Sequence, residues 1–300
     1  MDGAVILDKP KGVTSHDAVQ AARRLLQEHR IGHLGTLDPF ATGVLVLLLG
    51  TATRLARFYS GRDKSYQGII RFGFATDTYD ASGSPASPQT APHLEEVSLR
   101  ALFADFVGPR QQQPPPFSAK KVSGVRSYRL ARKGKAVPLQ PVPIVIHELE
   151  LLSVAGCRAT FRARVSSGTY LRSLAHELGQ RMGCGAHLEE LHRTAVGEFS
   201  ETQAVTLEQL EDSLRQGRLR VVPPEDLLPE FPSLLLSPSE SGSVSHGNSV
   251  LLASVGDQVK LLHPSGKLLA IASRGRGQEY HPIVVFPSSS SAPSSPSSPH

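Results

Sequence analysis

Between His33 and Gly43 the chain reads His-Leu-Gly-Thr-Leu-Asp-Pro-Phe-Ala-Thr-Gly, with one carboxylate, Asp38, at its centre. Pro39 biases Asp38 toward extended backbone, and Gly35 and Gly43 permit turns on both sides. An acid held this way points from a loop into a cleft, where an ionised carboxylate can attack as a nucleophile or stabilise positive charge. The competing reading of a bare Asp-Pro is a capping or Asx-turn aspartate. Two cysteines, Cys157 and Cys184, are too few for a disulfide scaffold and too far apart for a Cys-x-x-Cys site. His, Cys, Asp and Glu show no metal-ligand spacing, so no metal and no other cofactor is expected.

Four more segments decide between these readings. Leu-Asp-Lys-Pro-Lys-Gly at 7–12, Asp-Lys-Ser-Tyr at 63–66, Pro-Pro-Phe-Ser-Ala-Lys-Lys at 115–121 and Gly-Thr-Tyr-Leu-Arg at 168–172 accompany Gly-His-Leu-Gly-Thr-Leu-Asp-Pro at 32–39. In this order, from Val5 to about Glu230, the chain resembles the TruB family of tRNA pseudouridine synthases, which isomerise the uridine at position 55 of the T loop.

The resemblance implies that Asp38 is the catalytic carboxylate. It further implies that Arg172 pairs with Asp38, that Tyr66 stacks on the target base, and that Tyr170 and Leu191 line the pocket. A carboxylate among apolar residues tends to neutralise unless a cation holds it ionised, which gives Arg172 a physical task. A stacked loop uridine must be extruded, and His33 matches the residue that fills the vacated place. Lys9, Arg54 and Lys64 are candidate RNA contacts, Lys9 also shaping the cleft floor, and Arg54 and Lys64 have no specificity beyond charge. Taken singly, each has a plainer reading: a core tyrosine, a solvated arginine, a hydrogen-bonded loop histidine. Phe117 replaces a tyrosine and Leu34 a smaller residue, both away from the chemistry. The implied partner is tRNA through its T stem-loop, bound by a monomer.

Two rival functions lie outside this reading. A silent RNA-binding or RNA-folding protein on the same scaffold has no need of a buried Asp and Arg pair. A glycoside hydrolase usually needs two carboxylates at set separation, and the Asp38 region supplies one.

Charge is distributed in a way that favours an acidic partner. The net charge is +5 and the pI near 9.3. Between Phe106 and His147 lie eight Lys or Arg and no acid, whereas the remainder carries 24 basic against 27 acidic residues. Lys120, Lys121, Arg132 and Lys133 in this stretch match a family insertion, about 110–145, that closes over the T arm; alone, a charge run is usually a solvated face. Met-Asp-Gly-Ala lacks the regions of a signal peptide, and the longest apolar run, Val44 to Leu49, is too short to span a bilayer. A cytoplasmic protein without membrane association is expected.

The elements that must position these groups follow from periodicity. Ala4 to Leu7 reads as a buried strand. Thr14 to Asp17 opens an amphipathic helix through Val19, Ala22, Leu25 and Leu26, with its stop expected at Gly32. Tyr66, Ile70, Phe72 and Phe74 alternate with polar neighbours, as do Ala159, Phe161, Ala163 and Val165. A helix carries Leu171, Leu174, Ala175 and Leu178. Strands and helices without βαβ alternation argue α+β around a mixed, largely antiparallel sheet, and the resemblance adds a central active-site cleft. The expected organisation is a catalytic domain at 1–230, a PUA-like β-barrel at 233–286 and a disordered Ser/Pro tail at 287–300. Four strand-like pieces are expected in the barrel, at 249–254, 258–263, 268–273 and 282–286.

Overall fold

The computed structural model describes residues 1–116, 121–122, 125–126, 140–253 and 255–287. Lys120, Arg132, Lys133, the side chain of Lys121 and the tail beyond Pro287 lie outside the described residues. In chain order the elements are β1 (Gly3–Lys9), α1 (Ser15–Leu26), β2 (Ile31–His33), β3 (Thr42–Leu49), α2 (Ala56–Tyr59), β4 (Lys64–Phe72), α3 (Glu96–Ala104), β5 (Gly108–Gln112), β6 (Lys121–Val122), β7 (Val125–Arg126), β8 (Val142–Ala155) and β9 (Arg158–Val165). There follow α4 (Leu171–Arg181), β10 (Ala186–Val196), β11 (Phe199–Ser200), α5 (Leu207–Arg215), β12 (Ser233–Leu235), α6 (Pro238–Ser245), β13 (Val250–Leu251), β14 (Gln258–Leu262), β15 (Leu268–Arg274) and β16 (Glu279–Val285).

The large sheet runs β1-β3-β10-β4-β9-β8-β5, with β2 on β3 and β11 on β10. Among the described strand pairs of this sheet only β3–β10 is parallel, so the fold is α+β on a mixed, largely antiparallel sheet. Behind β4, β8, β9 and β10, helices α3 and α4 bury Phe72, Phe103, Phe161, Leu174 and Leu178 in one core. The unbroken apolar run of β3 has a simple cause: both faces are covered. Leu45 and Leu47 join Val5, Leu7, Ala18 and Leu210 beneath α1 and α5. Val44, Val46 and Leu48 face the opposite way, into a cluster with Leu268, Ile271, Val284 and Phe286 of the C-terminal module.

Helix α1 starts as its residues dictate, with a reciprocal capping box between Thr14 and Asp17. Its end differs from expectation. Gln27 turns left-handed (φ 49°) and the Glu28 carboxylate accepts from the Arg30 N–H at 2.9 Å, so the chain reverses early and Gly32 lies inside β2. Phe74 also departs from the alternation: it lies past the end of β4 and packs on His187 instead of in the core.

The C-terminal module is a curled sheet in the order β12-β14-β15-β16-β13. The expected strands appear, though among the described residues of 249–254 the strand is Val250–Leu251. β12 and α6 were not legible in a Ser- and Pro-rich stretch. This module is fastened to the large sheet by polar contacts as well as by the shared core. Arg57 Nη2 donates to Ile283 O at 3.1 Å, and Arg54 donates to Val285 O. Beside this junction, but within the part of the chain that precedes the module, buried Tyr59 donates to Glu198 Oε1 at 2.7 Å and accepts from the Leu228 N–H at 3.0 Å. Burial and Glu198 push its hydroxyl pKa up, so it remains a phenol. Tyr59→Phe leaves that buried N–H unpaired and should lower stability by about 1–3 kcal/mol in equilibrium denaturation; an unchanged midpoint would show that this hydrogen bond adds nothing to stability.

Candidate active site

A cavity of about 430 Å³ opens beside β4 and β10, between the loop carrying Asp38 and the start of α4. Asp38, Tyr66, Tyr170, Arg172, Leu191, His33 and Lys64 all line it. Seven residues from four separate sequence segments thus line one cavity.

The Asp38 loop is fixed on both flanks. Ser15, in the first turn of α1, accepts from the Leu37 N–H at 2.8 Å and donates to Leu37 O at 3.0 Å. On the other side Pro39 O accepts from the Gly12 N–H at 2.7 Å and faces Lys9 Nζ at 3.4 Å. Upstream, Arg193 donates to Gly35 O at 3.0 Å and to Val44 O at 2.7 Å. Gly43 is required where β3 meets β10: a Cβ there would sit 2.3 Å from Arg193 O, and its φ is +99°. The carboxylate is therefore presented on a loop with little freedom to move.

Arg172 approaches Asp38 side-on. Nη2 donates to Oδ1 at 3.1 Å, and Nε lies 2.9 Å from Oδ2. The far edge of the guanidinium is held by Asp80 Oδ2 at 3.5 Å and Thr78 O at 3.3 Å. Asp80 is itself buried, and its Oδ1 accepts from Thr78 Oγ1 at 2.8 Å and the Ser82 N–H at 2.9 Å. One cation thus lies between two carboxylates, of which Asp38 keeps 37% of its side-chain surface open to the cavity and Asp80 only 5%. Desolvation by the surrounding protein raises the Asp38 pKa; Arg172 opposes the rise, Asp80 adds to it and Lys9 opposes it. The open face admits a substrate to a carboxylate whose other sides are dry.

Tyr66 stands directly across the strand pair from Arg193, and the two side chains interact within the cavity wall. Lys64 Nζ donates to Arg62 O at 2.7 Å, and burial lowers its pKa to about 8. His33 is kept neutral near physiological pH by desolvation and by the Arg193 charge. Tyr170, the N-cap of α4, has its backbone clamped by Gln112. Tyr170 N–H donates to Gln112 Oε1 at 2.8 Å, and Gln112 Nε2 donates to Tyr170 O at 3.1 Å.

Two expected RNA contacts stand elsewhere. Lys9 is fully buried, with Nζ donating to Pro10 O at 2.8 Å and Val13 O at 2.7 Å, so it cannot reach an RNA phosphate. Its task is to hold the turn beneath Asp38; burial pulls its pKa down to about 8. Arg54 is exposed but lies at the junction with the C-terminal module, outside this cavity.

Sequence reading missed Asp80, Arg193, Ser15 and Gln112. Asp80 had a local signal, an acid two residues after Thr78 in a turn-rich run. Arg193 needed the strand register, which places it opposite Tyr66. Ser15 and Gln112 act on the backbone of distant segments and leave no pattern in sequence.

The chain is similar to known proteins over most of its length. The description "TruB family pseudouridylate synthase (N terminal domain)" matches residues 23–171, and "tRNA pseudouridylate synthase B C-terminal domain" matches 172–228. The tRNA pseudouridine synthase B of Solibacter usitatus is 46% identical, covering 95% of this chain and 100% of that protein. Its counterpart in Aquifex aeolicus is 42% identical over 84% of this chain and 88% of its own length. Among solved structures, a chain of a Cbf5-Nop10-Gar1 complex superposes with a TM-score of 0.72 at 26% identity, covering 95% of this chain and 84% of that one. Matched over most of its length and carrying Asp38 and Arg172 in one cavity, the chain belongs to the TruB family of pseudouridylate synthases.

Proposed function

We propose that this protein, a tRNA pseudouridine synthase, modifies the uridine at position 55 of the T loop, with Asp38 as the reacting carboxylate. The observation that supports the site assignment most strongly is the Arg172 guanidinium bracketed by Asp38 and Asp80 at the cavity wall. In the reaction the N1–C1′ bond breaks, the uracil turns, a C5–C1′ bond forms, the C5 proton is released and N1 takes up a proton. No electrons are exchanged with an outside partner. An ionised carboxylate can attack an electron-poor centre or balance positive charge at C1′, and Arg172 keeps Asp38 ionised despite its desolvation.

Extrusion of the uridine brings it to Asp38 and Tyr66, with His33 taking the vacated place in the loop. Leu191 and Tyr170 narrow the cavity and exclude water, which protects the broken glycosidic bond from hydrolysis. Lys64 and Arg54, with Lys120, Lys121, Arg132 and Lys133 of the basic insertion, supply phosphate contacts. The C-terminal module at 233–286 serves as a PUA-like RNA-binding domain beside a catalytic domain at 1–230. The protein acts as a monomer in the cytoplasm. Among the described residues no helix is long and apolar enough to cross a membrane.

Position is tested with a transcript in which only the T-loop uridine is replaced by cytidine. The unaltered transcript should gain one pseudouridine and the altered one none. Equal modification of both would place the target elsewhere.

A further inference from the structure

Tyr79 has a backbone conformation that a bulky side chain rarely adopts, φ +65°. It lies between two groups that grip Arg172, the carbonyl of Thr78 and the carboxylate of Asp80. Its own backbone is fully engaged: the N–H donates to Thr76 O at 3.2 Å, and the carbonyl accepts from the Leu188 N–H at 3.0 Å. Its ring lies flat on the imidazole of His176, with centroids 3.8 Å apart and planes 9° from parallel. His176 is one turn along α4 from Arg172, on the same helix face. A strained residue is retained only where its surroundings over-determine it, and such residues cluster at sites whose geometry must be held.

We infer that Tyr79 is a positioning residue, whose ring stacked on His176 ties the loop of Thr78 and Asp80 to α4 and so fixes the Arg172 guanidinium against Asp38. This rests on the reading of Asp38 and Arg172 given above. The stack joins the two carriers of the network, the loop and the helix, at a point outside the residues that line the cavity. Desolvation keeps His176 neutral, so the contact is one between two uncharged rings and does not compete for the Arg172 charge. Burial and the Glu177 charge raise the Tyr79 phenol above its ordinary value, and Arg110 lies 3.9 Å from Glu177. The charged groups acting on Asp38 itself are Arg172, Asp80 and Lys9. Loosening the stack lets Arg172 drift from Asp38 while the other two remain, so the carboxylate protonates more readily.

The test uses Tyr79→Gly, Tyr79→Phe and His176→Ala in the full chain, read by melting temperature, tRNA affinity and the pH profile of single-turnover rate. Glycine accepts the left-handed backbone without strain, so Tyr79→Gly should melt within about 3 °C of wild type. Its rate at saturating tRNA should fall about tenfold or more, with affinity within about twofold. The acid limb of its profile should move up by about half a pH unit or more. Tyr79→Phe, which keeps the ring, should recover most of the rate. His176→Ala removes the stacking partner without touching the loop backbone and should reproduce the glycine result, which keeps the test valid if Tyr79→Gly folds poorly. In an Arg172→Ala background His176→Ala should add no further loss. A folded His176→Ala enzyme with wild-type rate and an unmoved acid limb overturns the inference, as does a full additional loss in the Arg172→Ala background. An active Asp38→Asn enzyme would instead overturn the site reading on which it rests.

Discussion

Asp38→Asn should lower single-turnover pseudouridine formation about 10⁴-fold or more, the scale seen when a reacting group is removed from a site whose parts act together. tRNA affinity should stay within a few fold, because the amide keeps the shape of the side chain. The melting temperature should not fall. Asp38 is raised above the ordinary carboxylate value, so its ionised form is less favourable in the fold than in the unfolded chain. Stability associated with the protonated form is present below the unfolded value and is lost as pH rises through the raised one. At neutral pH a neutral asparagine should therefore match or exceed the stability of wild type. Activity has the opposite dependence on pH: it needs the ionised form, so it should vanish on acidification through a pKa above the usual carboxylate range. A variant that loses activity and melts early would mean that the loop had collapsed and the chemistry had not been tested.

Arg172→Ala should be almost as damaging and for a different reason. The guanidinium is 7% exposed and separates two carboxylates. Without it, among the described residues, Asp38 faces Asp80 with Lys9 as the compensating charge, so its pKa rises further and the fraction ionised at neutral pH drops. The rate should fall about 10²- to 10³-fold, in line with loss of a preorganised electrostatic contact. The acid limb should move to higher pH, and stability should fall by about 3 kcal/mol for breaking a buried pair. Arg172→Lys should recover part of the rate, since a single ammonium cannot bond side-on to Asp38 and also reach Asp80 and Thr78 O. Full activity in Arg172→Ala would show that Asp38 is held ionised by something else.

Much of this site was legible in the sequence because its chemistry is concentrated in short motifs. Asp38 sits between turn-forming glycines, Arg172 follows Gly168 at a helix start, and Tyr66 lies at the head of an alternating strand; each local pattern also fixes its structural element. The supporting residues were hidden because their partners are remote. Lys9 reads as an RNA contact that also shapes the cleft floor, yet the chain folds back over it and turns it into a donor for three carbonyls. Arg193 gains meaning only through the register that sets it opposite Tyr66. At the fold level, β3 was clear as an apolar run, but the reason it is apolar on both faces lies in the docking of a module that begins nearly two hundred residues later. The early end of α1 was missed because a left-handed Gln27 does the work usually assigned to glycine.

Tritium release from tRNA labelled at C5 of uridine tests the central claim most directly, since isomerisation must expel the C5 hydrogen whereas binding, folding or hydrolysis of the glycosidic bond leaves it on the base. Wild-type enzyme should release close to one tritium per tRNA from the T-loop uridine, and Asp38→Asn should release essentially none while still binding. Stoichiometric release by Asp38→Asn, or tight binding by the wild type with no release, would contradict the account.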